Sequence, residues 1–363
     1  MKDWMAMKNN RTSNPSAYVY VGTNSLRGSQ GIYTLSLDTQ SGIMEVIDTA
    51  AARDSAYLCL SRDGRRLYVV MESLEYEGKK GGGVASYQIE DGHLTRNGQA
   101  YAGGGWPCHI SFGPAEREVY VSVFRNGSWM IFPVDRAGRL LEAAGEFHYS
   151  DPNGRPSHVH AAMLDPAGKY IAVADCGLDA VYLYGATSHD QVWREEFPED
   201  TGPRQLAFSR DRKYLYLVTE TSCELYVMRY TPEEKEKLHV VQVVSTQRCD
   251  GYEGRNYVGG LHFHPSGKYL LATNRGHNSF AVFGVDRENG MVRLLGHKML
   301  AGDHCREFAF TSDGKMLVAG LQHTDKMQSF FFDEKTGRIF DTGYTLDIPS
   351  PSAVVIFEKE MEE

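Results

Sequence analysis

Short apolar runs separated by polar turns extend along the whole chain. Gly259 to Val285 shows the pattern in its plainest form, as GGLHFHPSGKYLLATNRGHNSFAVFGV. It holds three apolar runs, a Pro-Ser-Gly-Lys turn and an Asn-Arg-Gly-His-Asn cluster, and so predicts three β-strands and two connections. The phrase recurs. Related turns begin at Ser61, Gly113, Asp165, Ser209, His264 and Thr311, between 44 and 55 residues apart, and each precedes a run such as LYVV, VYVSV, YIAVA, YLYLV, YLLAT or MLVAG. Several short strands per unit at this period predict a β-propeller.

One unit parses completely. Residues 204–208 are expected as the inner strand, 213–219 as the second, 224–230 as the third and 238–244 as the outer one. Tyr214, Tyr216 and Val218 alternate with Leu215 and Leu217. Both faces are therefore apolar, as a blade packed between two neighbours requires. Six turns give six blades. The runs from Ala17 and from Gly31 supply strands of another blade that lacks an inner strand, and SPSAVVIF at 350–357 reads as an inner strand with nothing after it. Pairing the two ends gives an all-β, seven-bladed propeller of four-stranded antiparallel blades with no free edge. Residues 16–358 form this single domain. Residues 1–15 read as a polar leader and 359–363 as an acidic tail. Gly78 to Gly83 (GKKGGG) reads as a flexible hairpin tip; it lacks the Lys-Ser/Thr ending of a phosphate loop.

Composition narrows the function. The 21 tyrosines and 37 glycines suit a strand-and-turn protein, and the net charge of −9 argues against general affinity for nucleic acid or an anionic membrane. The six cysteines are scattered, with no C-x-x-C pair, against a zinc site or a disulfide framework. The first sixteen residues lack a signal peptide's apolar core, and no segment has transmembrane length. A cytoplasmic location is expected. There is no G-x-S-x-G and no Gly-rich loop before a helix, so neither a serine nucleophile nor a dinucleotide cofactor is expected.

Repeat register points to a site. In an antiparallel blade, the start of the inner strand and the end of the second lie at one end of the sheet. Five residues before each turn stand Ala56, Cys108, His160, Arg204, Gly259 and Arg306; eleven after stand Glu72, Phe124, Cys176, Glu220, Arg275 and Gln322. His109, His158, Asp175, His277 and His323 are direct neighbours. These positions should ring one mouth of the central channel. His158 and His160 are expected on one strand face, but two ligands do not make a metal site. Asp175 reads as the holder of a neighbouring turn, and His264 as a structural group at the blade's opposite end. The bland alternative for the whole set is a satisfied polar rim around a water-filled channel.

PCHISF at 107–112, HVHAAMLDPAGKYIAVADCGLD at 158–179, GPRQLAFSRDRKYLYLVTE at 202–220 and the stretch at 259–283 resemble the seven-bladed propeller lactonase family. This family includes propeller-type 6-phosphogluconolactonases and carboxy-muconate lactonizing enzymes. The resemblance implies a site of His160, Arg204, Glu220 and Arg275, the same four that the register selects. Departures are Cys176 within Asp175-Cys176-Gly177, Cys305 before Arg306, and Thr219-Glu220. What it implies is hydrolysis of a sugar lactone, with 6-phosphogluconolactone first, placing the protein in the pentose phosphate pathway. Glu220 or His160 would serve as general base, and Arg204 and Arg275 would hold the oxyanion, phosphate or carboxylate. His109, His158, His277, Arg306 and Glu72 would bind the substrate, a small anionic lactone or sugar acid; no cofactor or metal is implied. A muconate-type cycloisomerase would share the arginines. A non-catalytic binding propeller would instead present Trp106, Trp129 and Phe124 as an apolar face.

Overall fold

Each inner strand finds an antiparallel partner on only one edge, so the seven must be held by side chains around a common axis. The structure, a computed structural model, describes residues 16–247 and 252–358. The expected leader, the acidic tail and Cys249 lie outside the described residues. Seven four-stranded sheets form the ring. Their inner strands are Ser55–Leu60, Pro107–Phe112, Val159–Leu164, Pro203–Phe208, Tyr257–Phe263, Cys305–Phe310 and Pro351–Glu358. Consecutive inner strands touch all the way round, and Pro351–Glu358 meets both the strand before it and Ser55–Leu60.

Closure is as expected. Pro351–Glu358 pairs along Ala17–Thr23, from Ala17 opposite Glu358 to Thr23 opposite Pro351. The parsed unit appears as Pro203–Phe208, Tyr214–Thr219, Glu224–Tyr230 and Leu238–Ser245. Its alternation has the predicted result: Leu215 and Leu217 pack toward the preceding blade, Tyr216 and Val218 toward the following one. Each of the seven blade interfaces holds its own apolar cluster. Burying apolar area on both faces of every blade is the main stabilising term.

The turns recur because their side chains satisfy backbone donors. Ser61 Oγ accepts from Arg66 N at 2.9 Å, Ser209 Oγ from Tyr214 N at 3.0 Å, and Asp165 Oδ1 from Tyr170 N at 2.8 Å. Gly64, Gly168, Gly267 and Gly314 take left-handed φ there; Arg212 holds the same position at φ 65°. His264 is buried at this end, its ring bonded to Ser266 and to the Gly314 carbonyl, which is a structural role.

One expectation is met in its geometry and one needs correction. The segment 78–83 does lie at a hairpin, in which Glu75–Tyr76 pairs with Lys79–Lys80, and it packs on the next blade, where a Cβ on Gly82 would lie 2.1 Å from Pro107. Trp129 is fully buried, stacked on Phe147, so it belongs to the core and not to an exposed face.

Candidate active site

A feature common to all seven inner strands decides which side chains reach the axis. Each carries one residue more than its partner strand, at or beside the fifth position before the turn. The extra residues are Ala56, Cys108, His160, Arg204 and Ser352 in five blades; in the other two, Gly259-Gly260 and Arg306-Glu307 oppose single residues. Such β-bulges re-aim side chains. The bulge turns His160, Arg204 and Arg306 into one volume at the channel mouth, where second-strand ends bring Glu220, Arg275 and Glu72.

The arrangement is centred on Glu220. Arg204 Nη1 donates to Glu220 Oε2 at 2.7 Å, and Arg275 Nη2 lies 3.1 Å from Glu220 Oε1. Arg204 also donates to His160 Nε2 and, through Nε, to the Gly259 carbonyl at 3.2 Å. Arg275 donates to the Val258 carbonyl at 2.8 Å. Arg306 grips Glu72 with two hydrogen bonds, 2.7 and 3.2 Å, between residues far apart in sequence. Arg204, Arg275 and His160 are each less than a tenth exposed. Buried charges of this kind persist only when paired and hydrogen-bonded. Three arginines face two glutamates, which leaves the mouth one positive charge in a chain whose net charge is −9.

Titration follows from this geometry. Burial alone would raise the Glu220 carboxyl, but Arg204 and Arg275 outweigh it and hold it at about 2. Burial, then the arginines, keep His160 well below the ordinary imidazole value, so it is neutral at pH 7. Its Nε2 accepts from Arg204, which leaves the proton on Nδ1, a buried atom with no protein partner. Burial pushes Cys108 up to about 12 and Cys176 higher still, so neither mouth thiol is a ready nucleophile.

Not every expected site residue joins this cluster. His158 does not share His160's direction, because the bulge falls between Val159 and Ala161; it stacks on Phe124 at 4.5 Å and bonds the Phe124 carbonyl. His277 bonds Ser279 at 2.7 Å and packs beside Tyr252 and His297. His109 follows the bulge residue and points down the channel, 4.7 Å from the Tyr57 ring. Below it, His262 and Glu307 pair at 2.6 Å in a cavity of about 710 Å³. Asp175 holds its turn as expected, accepting from the backbone of His158, Gly177 and Leu178.

Sequence reasoning missed His304 and Glu307. His304 stands two residues before Arg306, at φ 65°, and is held down at about 3 by burial and then by Arg275. The residue just before the inner strand is left-handed in five blades, at Asp54, Trp106, Gly202, His304 and Ser350. Glu307 was within reach of the same counting: the fourth position before the turn reads Tyr57, His109, Gln205 and Glu307 in four blades.

Buried neutral histidines make stability depend on pH. Burial holds His109 at about 4, below its ordinary 6.5. As pH falls through 6.5 the unfolded chain takes up a proton that the native state refuses until about pH 4. The stabilisation is complete above 6.5 and is lost toward 4, at about 1.4 kcal/mol per pH unit for each such group. His160 and His304 act in the same direction, whereas His262, raised by Glu307 against its burial, acts in the other. The denaturant midpoint should fall between neutral pH and about pH 5, and fall less in His109→Gln. A midpoint unchanged or higher in acid would show that these rings are not held neutral.

Among the described residues no group of three or more His, Cys, Asp or Glu side chains is arranged to hold a metal ion, and no helix is long and apolar enough to cross a membrane.

A closed seven-bladed ring with buried arginines and a bridging carboxylate at one channel mouth defines the class, a β-propeller with a charged site on its axis. The sequence model described as "Lactonase, 7-bladed beta-propeller" matches residues 18–356. The chain belongs to this family and is a lactone-hydrolysing enzyme. It is 30% identical over 348 residues to a 6-phosphogluconolactonase of Bacillus subtilis, covering 92% of this chain and 97% of that one. It is 26% identical over 345 residues to a 6-phosphogluconolactonase of Formosa agariphila, covering 90% and 95%. The solved structure of a periplasmic gluconolactonase of Pseudomonas aeruginosa superposes with a TM-score of 0.87 at 26% identity, covering 94% and 99%.

Proposed function

We propose that the protein hydrolyses a sugar lactone, with 6-phosphogluconolactone the preferred substrate, at the mouth built by His160, Arg204, Glu220 and Arg275. The observation that carries the reading is the Glu220 carboxylate bridging two buried arginines. A carboxylate held this way is a stand-in for the substrate: its oxygens occupy the positions of a phosphate, a carboxylate or a developing oxyanion. An incoming anion draws Arg204 and Arg275 away from Glu220. Burial then raises the Glu220 pKa toward the range in which it accepts a proton from the attacking water. His160 remains neutral and positions Arg204. The names of the Bacillus and Formosa relatives support the phosphorylated substrate. Free thiols at all five described cysteines support a cytoplasmic location.

The test is turnover of freshly prepared 6-phosphogluconolactone and of glucono-δ-lactone, followed by acid release and corrected for spontaneous opening. A larger kcat/KM for the phosphorylated lactone is expected. Equal values would show that the arginines do not read phosphate, and no turnover of either would remove the reading.

A further inference from the structure

The connections between the second and third strands face the catalytic mouth, and five of the seven are tight. They run 124–127, 176–179, 220–223, 276–278 and 322–325. The other two are long, 24–30 and 72–82, and they belong to neighbouring blades. The first adds a short 3-10 turn, Leu26–Gly28, and the second adds the hairpin at Glu75–Tyr76 and Lys79–Lys80. Closing a blade needs neither. Between them lies a cleft of about 1020 Å³ whose wall includes Glu72, the partner of Arg306, so cleft and mouth share this side chain.

The lining has two characters. Three large apolar side chains stand exposed along it: Leu26 at 65%, Leu74 at 50% and Trp106 at 38%. Trp106 is fixed by its backbone, which donates to Ser73 O at 3.1 Å and accepts from Phe124 N at 3.0 Å, while the Arg125 guanidinium sits 5.3 Å from its ring. Apart from Glu72, already paired with Arg306, the charged groups are Asp54, Glu75 and Glu77 against Arg53 and Arg96. The cleft is thus acidic beside a mouth that is positive. It disfavours the anionic end of a ligand, which the arginines take. An alkyl chain would call for a continuously apolar wall. An aromatic platform among carboxylates and amides such as Gln30 suits a neutral ring with apolar faces and a rim of hydroxyls.

We infer that this cleft is a subsite for a second, uncharged sugar ring, so that the enzyme also accepts lactones of glycosylated aldonic acids. The inference rests on the lactonase reading for the reaction itself, but the cleft can be tested apart from turnover. The full-length protein, Trp106→Asn and Leu74→Ser are titrated calorimetrically with gluconate, cellobionate and 6-phosphogluconate; asparagine tolerates the left-handed backbone at position 106. Cellobionate is expected to bind on the order of tenfold more tightly than gluconate, with the gap closing in both variants. The ratio of kcat/KM for cellobiono-δ-lactone over glucono-δ-lactone should fall by a similar factor. Equal binding of the two acids by the unmodified protein overturns the subsite, as does an equal loss for both in the variants. A dependence on Trp106 that is greater for 6-phosphogluconate than for cellobionate assigns the cleft to phosphate and overturns it too. A cellobionate preference without turnover of any lactone would uphold the subsite while removing the lactonase reading.

Discussion

Glu220→Gln lowers kcat by about a hundredfold to a thousandfold, or about 2.7–4 kcal/mol of transition-state stabilisation, while 6-phosphogluconate binds as tightly as before or more so. The substitution keeps the side chain's shape and removes the carboxylate that competes with the substrate for Arg204 and Arg275. Both guanidiniums keep a backbone anchor, on the Gly259 and Val258 carbonyls, so the mouth keeps its form. If Glu220 were only the counter-ion of a polar rim, its loss would raise KM or lower the melting temperature with kcat untouched. Steady-state kinetics, product titration and thermal unfolding of the same variant separate the two roles. The acid limb gives a second check. With Glu220 at about 2 and His160 well below its ordinary value, kcat/KM should show no ionisation of the free enzyme near pH 6.5.

Ending the chain at Ser350 abolishes cooperative folding. The segment Pro351–Glu358 is the inner strand of a blade whose other three strands come from the opposite end of the sequence. Ala353 packs in the cluster on one side of that blade and Val354 in the cluster on the other, so its loss opens two interfaces. It also leaves Ala17–Thr23, buried along its whole length, with an unpaired edge. A fully buried valine alone contributes about 1.5–3 kcal/mol, against about 5–15 kcal/mol for a typical domain. Differential scanning calorimetry should show no unfolding peak for the shortened chain. A transition within a few degrees of the full-length protein's would mean that the ring does not depend on this strand.

The architecture was legible because the repeated turns have a local cause. Ser61, Asp165, Ser209 and Thr311 each cap the donors that follow them, and a cap leaves its mark at a fixed offset in the sequence. Counting from those caps also locates His160, Arg204, Glu220, Arg306 and Glu72, and counting from His264 locates Arg275. What stayed hidden depends on pairing across strands. Nothing local to HVH announces that His160 is the extra residue of a bulge, so the sequence alone puts His158 and His160 on one face. His109 was placed at the mouth for the same reason, though it lies one step down the channel. Trp129 and Trp106 look alike as exposed aromatics in sequence; only the partner strand shows that one is core and the other lines a cleft.

The bulges have a consequence for the chemistry of the opening. The extra residue of each inner strand is outside the ladder, so its identity is free of the demands of register. Ala56, Cys108, His160, Arg204, Gly259, Arg306 and Ser352 therefore stand around one opening without a place in the ladder. Four are small here, and the remaining three carry the imidazole and two of the guanidiniums. The small ones are held small by their neighbours: Ala56, Cys108 and Ser352 are buried, and a Cβ on Gly259 would lie 2.4 Å from Thr273 Oγ1. The same close packing that excludes larger groups there leaves His160, Arg204 and Arg306 to set the chemistry of the opening.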